Sequence, residues 1–160
     1  MNILYICTHN RCRSILSEAI TRQKAQGVIN AQSAGSQPAG EVHPLSLRYL
    51  QESGYGVEGL RSKSWENLSN ENGHDFIPDV VITVCDQAAG ESCPLWLGKT
   101  PKLHWGLSDS SKLDGTDAQK REAFLATIHE IEQRVDKLMA IAKLDKDQQL
   151  AALTQLTQAF

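Results

Sequence analysis

The sequence predicts an α/β fold in which a four-stranded parallel sheet is covered by helices on both faces. Short apolar segments alternate along the chain with segments of helical periodicity, and residues 79–85 (DVVITVC) form an unbroken, largely β-branched run. A strand of that composition is typical of the centre of a parallel sheet, where both faces are buried. Alternating strands and helices then place helical layers against the sheet.

The first third of the chain contains four predicted elements, identified from the period of their apolar residues and from the residues that bound them. Gly27 and Gly54 each follow a helical pattern, at the position where glycine commonly ends a helix. Pro44 suits the first turn of a helix, since its missing N–H would have no partner there. The predicted elements are strand 2–6, helix 14–26, strand 28–34 and helix 44–53.

The remainder of the chain supplies strands 79–85 and 101–105 and a long helix. Thr116 and Gln119 have the spacing of a capping box, which predicts that this helix begins at Thr116. Because neither an internal repeat nor a linker is visible, we predict a single catalytic α/β domain over residues 1–143. The C-terminal tail, 144–160, fits an amphipathic helix, a loose end or a dimer contact equally well.

Charge and composition exclude several classes of function. The 160 residues carry a net charge of −3, which gives no electrostatic reason to bind nucleic acid or an anionic membrane. No apolar stretch approaches the ~20 residues of a membrane span, and the apolar start is shorter than a signal-peptide core. We therefore predict a cytoplasmic protein, in which four reduced cysteines are catalytic, redox-active or metal-binding rather than structural disulfides.

Reactive side chains are concentrated in the loop 7–14 (CTHNRCRS), at the carboxyl end of the first strand. Ligands of parallel sheets bind at such ends, and loop N–H groups beside a helix N-terminus favour an anion. The same donors are expected to lower the pKa of Cys7, while Arg13 grips two oxygens of a tetrahedral oxyanion. The predicted oxyanion-binding residues are Thr8, His9, Asn10, Arg11, Cys12, Arg13 and Ser14.

This loop has the pattern C-x2-N-x-C-R-S and resembles the phosphate loop of the low-molecular-weight protein tyrosine phosphatase superfamily. That superfamily also contains arsenate reductases that depend on thiol donors. The resemblance extends over roughly residues 1–143, through SAG at 33–35, VITVC at 81–85 and HWGLSD at 104–109. It implies a low-molecular-weight phosphotyrosine phosphatase-like fold, but the loop motif alone does not separate the two activities.

Two further features favour the reductase branch. Cys85 ends the predicted central strand, and Cys93 follows after seven residues, so both are expected near Cys7. A phosphatase needs one nucleophilic cysteine, whereas a reductase delivers two electrons through a relay of thiols. Asp109 is followed by Ser110 instead of the proline of the phosphatases, and their substrate-stacking tyrosines are missing.

The resemblance implies a mechanism in which Cys7, Arg13, Cys85, Cys93 and Asp109 are catalytic. Arsenate, which phosphate or sulfate mimics, binds the loop; Cys7 attacks arsenic and Asp109 protonates the departing oxygen. Cys85 then attacks Cys7 as arsenite leaves, and Cys93 attacks Cys85. No cofactor is expected to be bound. Thioredoxin, or glutathione with glutaredoxin, reduces the resulting disulfide, and the predicted role is arsenic detoxification.

Three alternatives stay open at this point: a tyrosine phosphatase, a non-catalytic thiol sensor and a zinc protein. The spacing Cys85-x7-Cys93 lies outside the usual zinc patterns, so no metal site is predicted. Some members of the superfamily bind potassium beside the loop. Asn10, Glu18 and Ser33 match three of the potassium-binding positions, but the family's further aspartate has no clear counterpart here.

Overall fold

The structure is a computed structural model that describes residues 1–68, 76–85, 88, 90 and 100–158. Its strands are β1 (Asn2–Ile6), β2 (Asn30–Ala34), β3 (Val80–Thr83) and β4 (Lys102–His104). Its helices are α1 (Arg13–Lys24), α2 (Pro44–Glu52), α3 (Asp117–Ala142) and α4 (Lys146–Gln158). Short 3-10 helices also form at Trp65–Leu68 and Ser110–Lys112.

The four strands form one parallel sheet in the order β2-β1-β3-β4, which confirms the predicted sheet. All four residues of β3 are buried, so both faces of the sheet are covered at its centre. Because the strands are parallel, their carboxyl ends share one edge. The loops that begin at Cys7, Gly35 and Val84 therefore start side by side at that edge.

Helix α1 contacts both the sheet and α3, and its residues from Ser14 to Thr21 are all buried. Helix α3 begins as predicted, with Thr116 Oγ1 accepting from the Gln119 N–H and Gln119 Oε1 accepting from the Thr116 N–H. Its apolar stripe, which includes Phe124, Ile131 and Leu138, is buried. The long helix thus supports both α1 and the segment that follows β4.

Several boundaries differ from the prediction by one or two residues. Helix α1 begins at Arg13, because the backbone turns into the helix directly after Cys12 without a side-chain cap. Strand β3 ends at Thr83, since the carbonyl of Val84 accepts from the Leu107 N–H outside the ladder. Cys85 consequently lies in the loop beyond the strand, which brings it closer to the loop after β1.

The C-terminal tail forms helix α4, which contacts α3 and β4. Leu153 and Leu156 are buried on its inner side, while Leu150 is exposed. The Gln149 amide donates to the carbonyls of Ala142 and Leu144 and so ties the tail to the end of α3. None of the helices in the described part of the chain is long and apolar enough to cross a membrane.

Candidate active site

The loop 7–14 is held in place by a buried polar network centred on Asn10. Asn10 has a left-handed backbone, with a φ of 46°, which asparagine tolerates better than most residues. Its amide nitrogen donates to Ser14 Oγ at 2.7 Å and to Ser33 Oγ at 3.0 Å, and its Oδ1 accepts from the Lys63 N–H at 2.9 Å. The side chain therefore fixes the loop from behind and is turned away from the ligand side.

Gly35, the first residue after β2, allows this loop to approach the sheet edge closely. A Cβ atom at Gly35 would lie 2.4 Å from the carbonyl oxygen of Thr8 and 2.5 Å from that of Cys7. Both distances are shorter than van der Waals contact, so only glycine fits here. The glycine of the SAG segment at 33–35 is thus required for a steric reason.

Cys7 and Cys85 meet where the adjacent strands β1 and β3 end, and their thiols are hydrogen-bonded to each other. Both cysteines are buried and unbridged. The Thr8 N–H lies 3.5 Å from Cys85 Sγ and the Thr8 hydroxyl 3.8 Å from it. A second thiol therefore stands beside the predicted nucleophile.

The two thiols differ in pKa. The hydrogen bond from Cys7, followed by donors from the Thr8 and Ala88 backbone and the Thr8 hydroxyl, lowers the pKa of Cys85 to about 5 against the opposing effect of burial. The same hydrogen bond, together with burial, raises the pKa of Cys7. The sequence predicted the lowered pKa at Cys7. In this conformation the lowered pKa is that of Cys85, because Cys85 Sγ accepts the hydrogen bond from Cys7 and lies beside the Thr8 donors.

Arg13 extends across the loop to the segment that follows β4. One guanidinium nitrogen donates to the carbonyl of Leu107 at 3.1 Å, and the other lies 3.3 Å from Asp109 Oδ2. Asp109 Oδ1 accepts from both the N–H and the hydroxyl of Ser111. Ser110 anchors the same segment to α3, since its hydroxyl bonds Thr127 Oγ1 at 2.7 Å.

These side chains surround a small cavity of about 80 Å³. It is lined by Cys7, His9, Arg11, Cys12, Arg13, Asp109, Ser111 and Lys112. Three cationic side chains and one carboxylate line it, so its electrostatic potential favours an anion. Burial raises the pKa of Cys12 to about 11, which keeps that cavity residue a neutral thiol near neutral pH.

The structure brings most of the predicted site residues together. Cys7, Arg13 and Asp109 line one cavity, and the Cys85 thiol is hydrogen-bonded to the Cys7 thiol behind it. The backbone amides of Thr8 and Asn10 are already engaged, with Cys85 Sγ and with the Cys7 carbonyl. Cys93 lies outside the described residues.

Sequence reasoning missed three contributors to the site. Lys112 lines the cavity, the Leu107 carbonyl orients Arg13, and Lys63 supports Asn10. The resemblance covered the segment that contains Leu107, but a backbone carbonyl leaves no mark in the sequence. Lys63 lies 53 residues from Asn10, so no local pattern indicated this contact.

The residues at the potassium-binding positions of the superfamily do not fit that ion here. The Lys63 ammonium lies 3.4 Å from Glu18 Oε1, the same oxygen that accepts from Ser33 Oγ at 2.9 Å. The other Glu18 oxygen lies 3.0 Å from the guanidinium of Arg22. Two protein cations thus already neutralise the carboxylate. Among the described residues, no group of three or more His, Cys, Asp and Glu side chains is arranged to hold a metal ion.

The fold and this loop define a class of protein. The family model described as low molecular weight phosphotyrosine protein phosphatase matches residues 2–150, and the chain belongs to that family. The resemblance inferred from the loop motif and the predicted fold are both confirmed.

Within this family the chain is similar to proteins named arsenate reductase. Arsenate reductase 1 of Staphylococcus epidermidis is 31% identical over 134 residues, which are 83% of this chain and 96% of the relative. The arsenate reductase of Bacillus licheniformis is 29% identical over 84% of this chain and 92% of its own length. A glutaredoxin arsenate reductase of Synechocystis is 28% identical over 86% of this chain and 95% of its own.

Solved structures that are similar to this chain are also named arsenate reductase. An arsenate reductase in the phosphate-binding state has a TM-score of 0.65 and 26% identity, with 87% of this chain and 96% of that chain covered. A thioredoxin-dependent arsenate reductase of Corynebacterium glutamicum has a TM-score of 0.63 and 31% identity, with 89% of this chain and 61% of that chain covered.

Proposed function

We propose that this protein reduces arsenate to arsenite through a relay of cysteine thiols. The contact between Cys85 and Cys7 carries the proposal, because it provides a second thiol next to the nucleophile of a phosphatase-like loop. Hydrolysis of a phosphate ester needs only one such thiol, whereas reduction of arsenic needs two electrons that a thiol pair can supply. The relatives named arsenate reductase support the same function.

Arsenate binds in the cavity above the loop, because attack by Cys7 requires the tetrahedral oxyanion close to its sulfur. Arg13 is the clamp, since its guanidinium lies between the loop and Asp109 and presents paired N–H donors to two oxygens. Arg11 and Lys112 add positive charge at the cavity wall. Phosphate and sulfate have the same shape and charge, and we expect both to bind as mimics.

The first chemical step forms a bond between Cys7 Sγ and arsenic. The Cys85 thiolate, which already accepts the hydrogen bond from Cys7, takes the Cys7 proton as Cys7 Sγ attacks, so Cys7 does not have to ionise beforehand against its raised pKa. Asp109, close to Arg13 at the cavity wall, protonates an arsenate oxygen, which leaves as water. General acid catalysis of this kind contributes ~10²–10⁴-fold.

The second step transfers the electrons. Cys85 gives its proton to an oxygen of the departing arsenic group and attacks Cys7 Sγ, so that a sulfur–sulfur bond forms and the sulfur–arsenic bond breaks. The electron pair of the broken bond stays on arsenic, which leaves as arsenite, while the two thiols are oxidised to a disulfide. The hydrogen bond between the two thiols already places Cys85 Sγ beside the sulfur that it attacks.

Cys93 completes the relay by attacking Cys85, which frees Cys7 and leaves a Cys85–Cys93 disulfide. An external dithiol then reduces that disulfide, and no bound cofactor takes part. The names of two relatives, one thioredoxin-dependent and one a glutaredoxin arsenate reductase, support thioredoxin or glutathione with glutaredoxin as donor. Such donors keep thiols reduced in the cytoplasm, where we place the reaction and its role in arsenic detoxification.

The proposal is tested by one turnover without a donor. Pre-reduced protein is mixed with arsenate, quenched with an alkylating agent and mapped by peptide mass spectrometry, and arsenite is quantified. We expect a Cys85–Cys93 bridge and one arsenite per protein. The variants Cys85→Ser and Cys93→Ser should both abolish multiple turnover with added thioredoxin or glutaredoxin.

The same preparations decide between the reductase and the phosphatase. Hydrolysis of an aryl phosphate is measured in parallel for the wild type and for Cys85→Ser. Absence of both arsenite and the bridge, with aryl phosphate hydrolysis unchanged in Cys85→Ser, would establish a phosphatase. Absence of turnover on either substrate would support a thiol sensor instead.

A further inference from the structure

A buried ion pair lies directly behind the oxyanion loop and is unused by the proposed chemistry. Glu18, on the inner face of α1, is fully buried, and Lys63 is only 7% exposed. Their charged groups are 3.4 Å apart. Burial lowers the pKa of Lys63, and the carboxylate of Glu18 opposes that shift. Buried charges of this kind are costly unless they are paired, so the pair calls for a structural or functional reason.

Lys63 contacts the loop by two routes. Its backbone N–H donates to Asn10 Oδ1 at 2.9 Å, so the loop depends directly on the position of this residue. Its ammonium neutralises Glu18 Oε1, which also accepts from Ser33 Oγ; Ser33 Oγ in turn accepts from the Asn10 amide. The hydroxyl of Ser33 is thus oriented by the carboxylate, and Asn10 is oriented by that hydroxyl.

We propose that Lys63 is a positioning residue that acts as a built-in monovalent cation for the oxyanion loop, so that the loop needs no potassium. The ammonium lies beside the same Glu18 oxygen, Oε1, that accepts from the Ser33 hydroxyl. A covalently attached cation keeps Glu18 charged and the Ser33–Asn10 hydrogen bonds in one arrangement at any salt composition. This inference rests on the proposed oxyanion binding by the loop, but not on the reduction of arsenate.

Removal of the Lys63 side chain should make oxyanion binding by the loop depend on potassium. Lys63→Ala leaves Glu18 Oε1 beside an open space while Arg22 stays on the other carboxylate oxygen, and hard cations prefer such oxygen ligands. Potassium should then enter and restore the loop. Lys63→Met removes the same charge but fills the space, so potassium should not rescue it. Lys143→Ala, at an exposed position on the end of α3, is the matched control.

The experiment measures the thermal unfolding midpoint and the Kd for inorganic phosphate, in potassium chloride and in choline chloride at equal ionic strength. The wild type and Lys143→Ala should give the same values in both salts. For Lys63→Ala the Kd in choline should rise at least about tenfold, which corresponds to ~1.4 kcal/mol, and should return close to the wild-type value in potassium. Lys63→Met should stay weakened in both salts.

Two results would overturn the inference: a wild-type protein whose midpoint or Kd improves in potassium over choline, or a Lys63→Ala variant that binds equally in both salts. If Lys63→Ala does not fold, the double variant Glu18→Gln, Lys63→Met removes both charges and should fold without any response to potassium; a response there would also contradict us. Failure of the wild type to bind phosphate at all would instead contradict the proposed function, while its salt-independent midpoint would still test the role of Lys63.

Discussion

The two halves of the site, the loop after β1 and the segment after β4, are built in different ways. The loop is fixed by groups without solvent exposure: Asn10, Ser14 and Ser33 are all fully buried, and the Asn10 amide donates to both hydroxyls. The segment that carries Asp109 lies at the surface, with Asp109 16% exposed and Lys112 76% exposed. One half is therefore part of the core, and the other is held against it by a few polar contacts.

This difference matches what each half is proposed to do. A tetrahedral oxyanion is gripped well only by donors that are already in position, and a buried network supplies that rigidity. A general acid must approach the substrate and withdraw as product leaves, so a surface segment with a few anchors suits it. Arg13 connects the two halves, because it starts in α1 and ends on Asp109.

The largest effect is expected where the loop touches the sheet edge. Gly35→Ala introduces a Cβ that collides with the Thr8 and Cys7 carbonyls, so the loop must move or the variant must unfold. We expect a loss of more than ~3 kcal/mol in the free energy of unfolding, and no detectable phosphate binding. Gly56→Ala is the control, since a Cβ there meets nothing within 4 Å. A Gly35→Ala variant that bound phosphate normally would show that the loop is not rigid.

A smaller and more selective effect is expected in the other half. Asp109→Asn keeps the size of the side chain but removes the proton donor, so kcat for arsenate should fall ~10²–10⁴-fold. The Kd for phosphate should not weaken, because the loop that grips the anion is intact. Asp114→Asn, an exposed neighbour, should leave both constants unchanged. An equal loss of affinity in Asp109→Asn would mean that the two halves act as one rigid unit.

A third effect, on the pH dependence of stability, concerns the pair of thiols behind the loop. The pKa of Cys85 is lowered from 9.0 to about 5, so between these pH values the folded protein binds fewer protons than the unfolded chain. The free energy of unfolding should therefore rise with pH through this window, and this contribution is lost as pH falls through 5. The raised pKa of Cys7 opposes it only above pH 9, where the unfolded thiol ionises.

Denaturant unfolding of reduced protein across that pH window measures this effect. The rise should disappear in Cys85→Ser. It should persist in Cys12→Ser, because burial raises the pKa of Cys12 to about 11 and its ionisation therefore has no influence below pH 9. An unchanged rise in Cys85→Ser would place the low pKa on another group.

The sheet was predictable because each strand carries its own local signal. The β-branched run of β3 and the apolar β1 identified the two central strands, and the capping box fixed the start of α3. The ends of the strands were less predictable, since they depend on tertiary partners: β3 ends at Thr83, and the carbonyl of the next residue, Val84, accepts from the Leu107 N–H beyond β4. Such partners leave no periodic signal in the sequence.

The same distinction applies to the site. The loop motif and its neighbour Cys85 were predictable from residue type and strand order, and Asp109 from the resemblance. The sequence did not indicate which thiol has the lowered pKa, because that depends first on which thiol donates the hydrogen bond between them, and then on the Thr8 donors beside Cys85. The ammonium of Lys63 on Glu18 was equally hidden, as it joins residues 45 positions apart.

The long separations within the site also have a consequence for biosynthesis. Arg13 and Asp109 are 96 residues apart, and Thr8 and Cys85 are 77 apart. At ~5–20 residues per second, a ribosome takes roughly 5–20 s to proceed from Cys7 to Asp109. During that interval the nascent chain presents Cys7 without the strand and the segment that later bury it. The reactive thiol is thus exposed to oxidants and metals before the fold protects it, and newly made protein depends on a reducing environment from its first seconds.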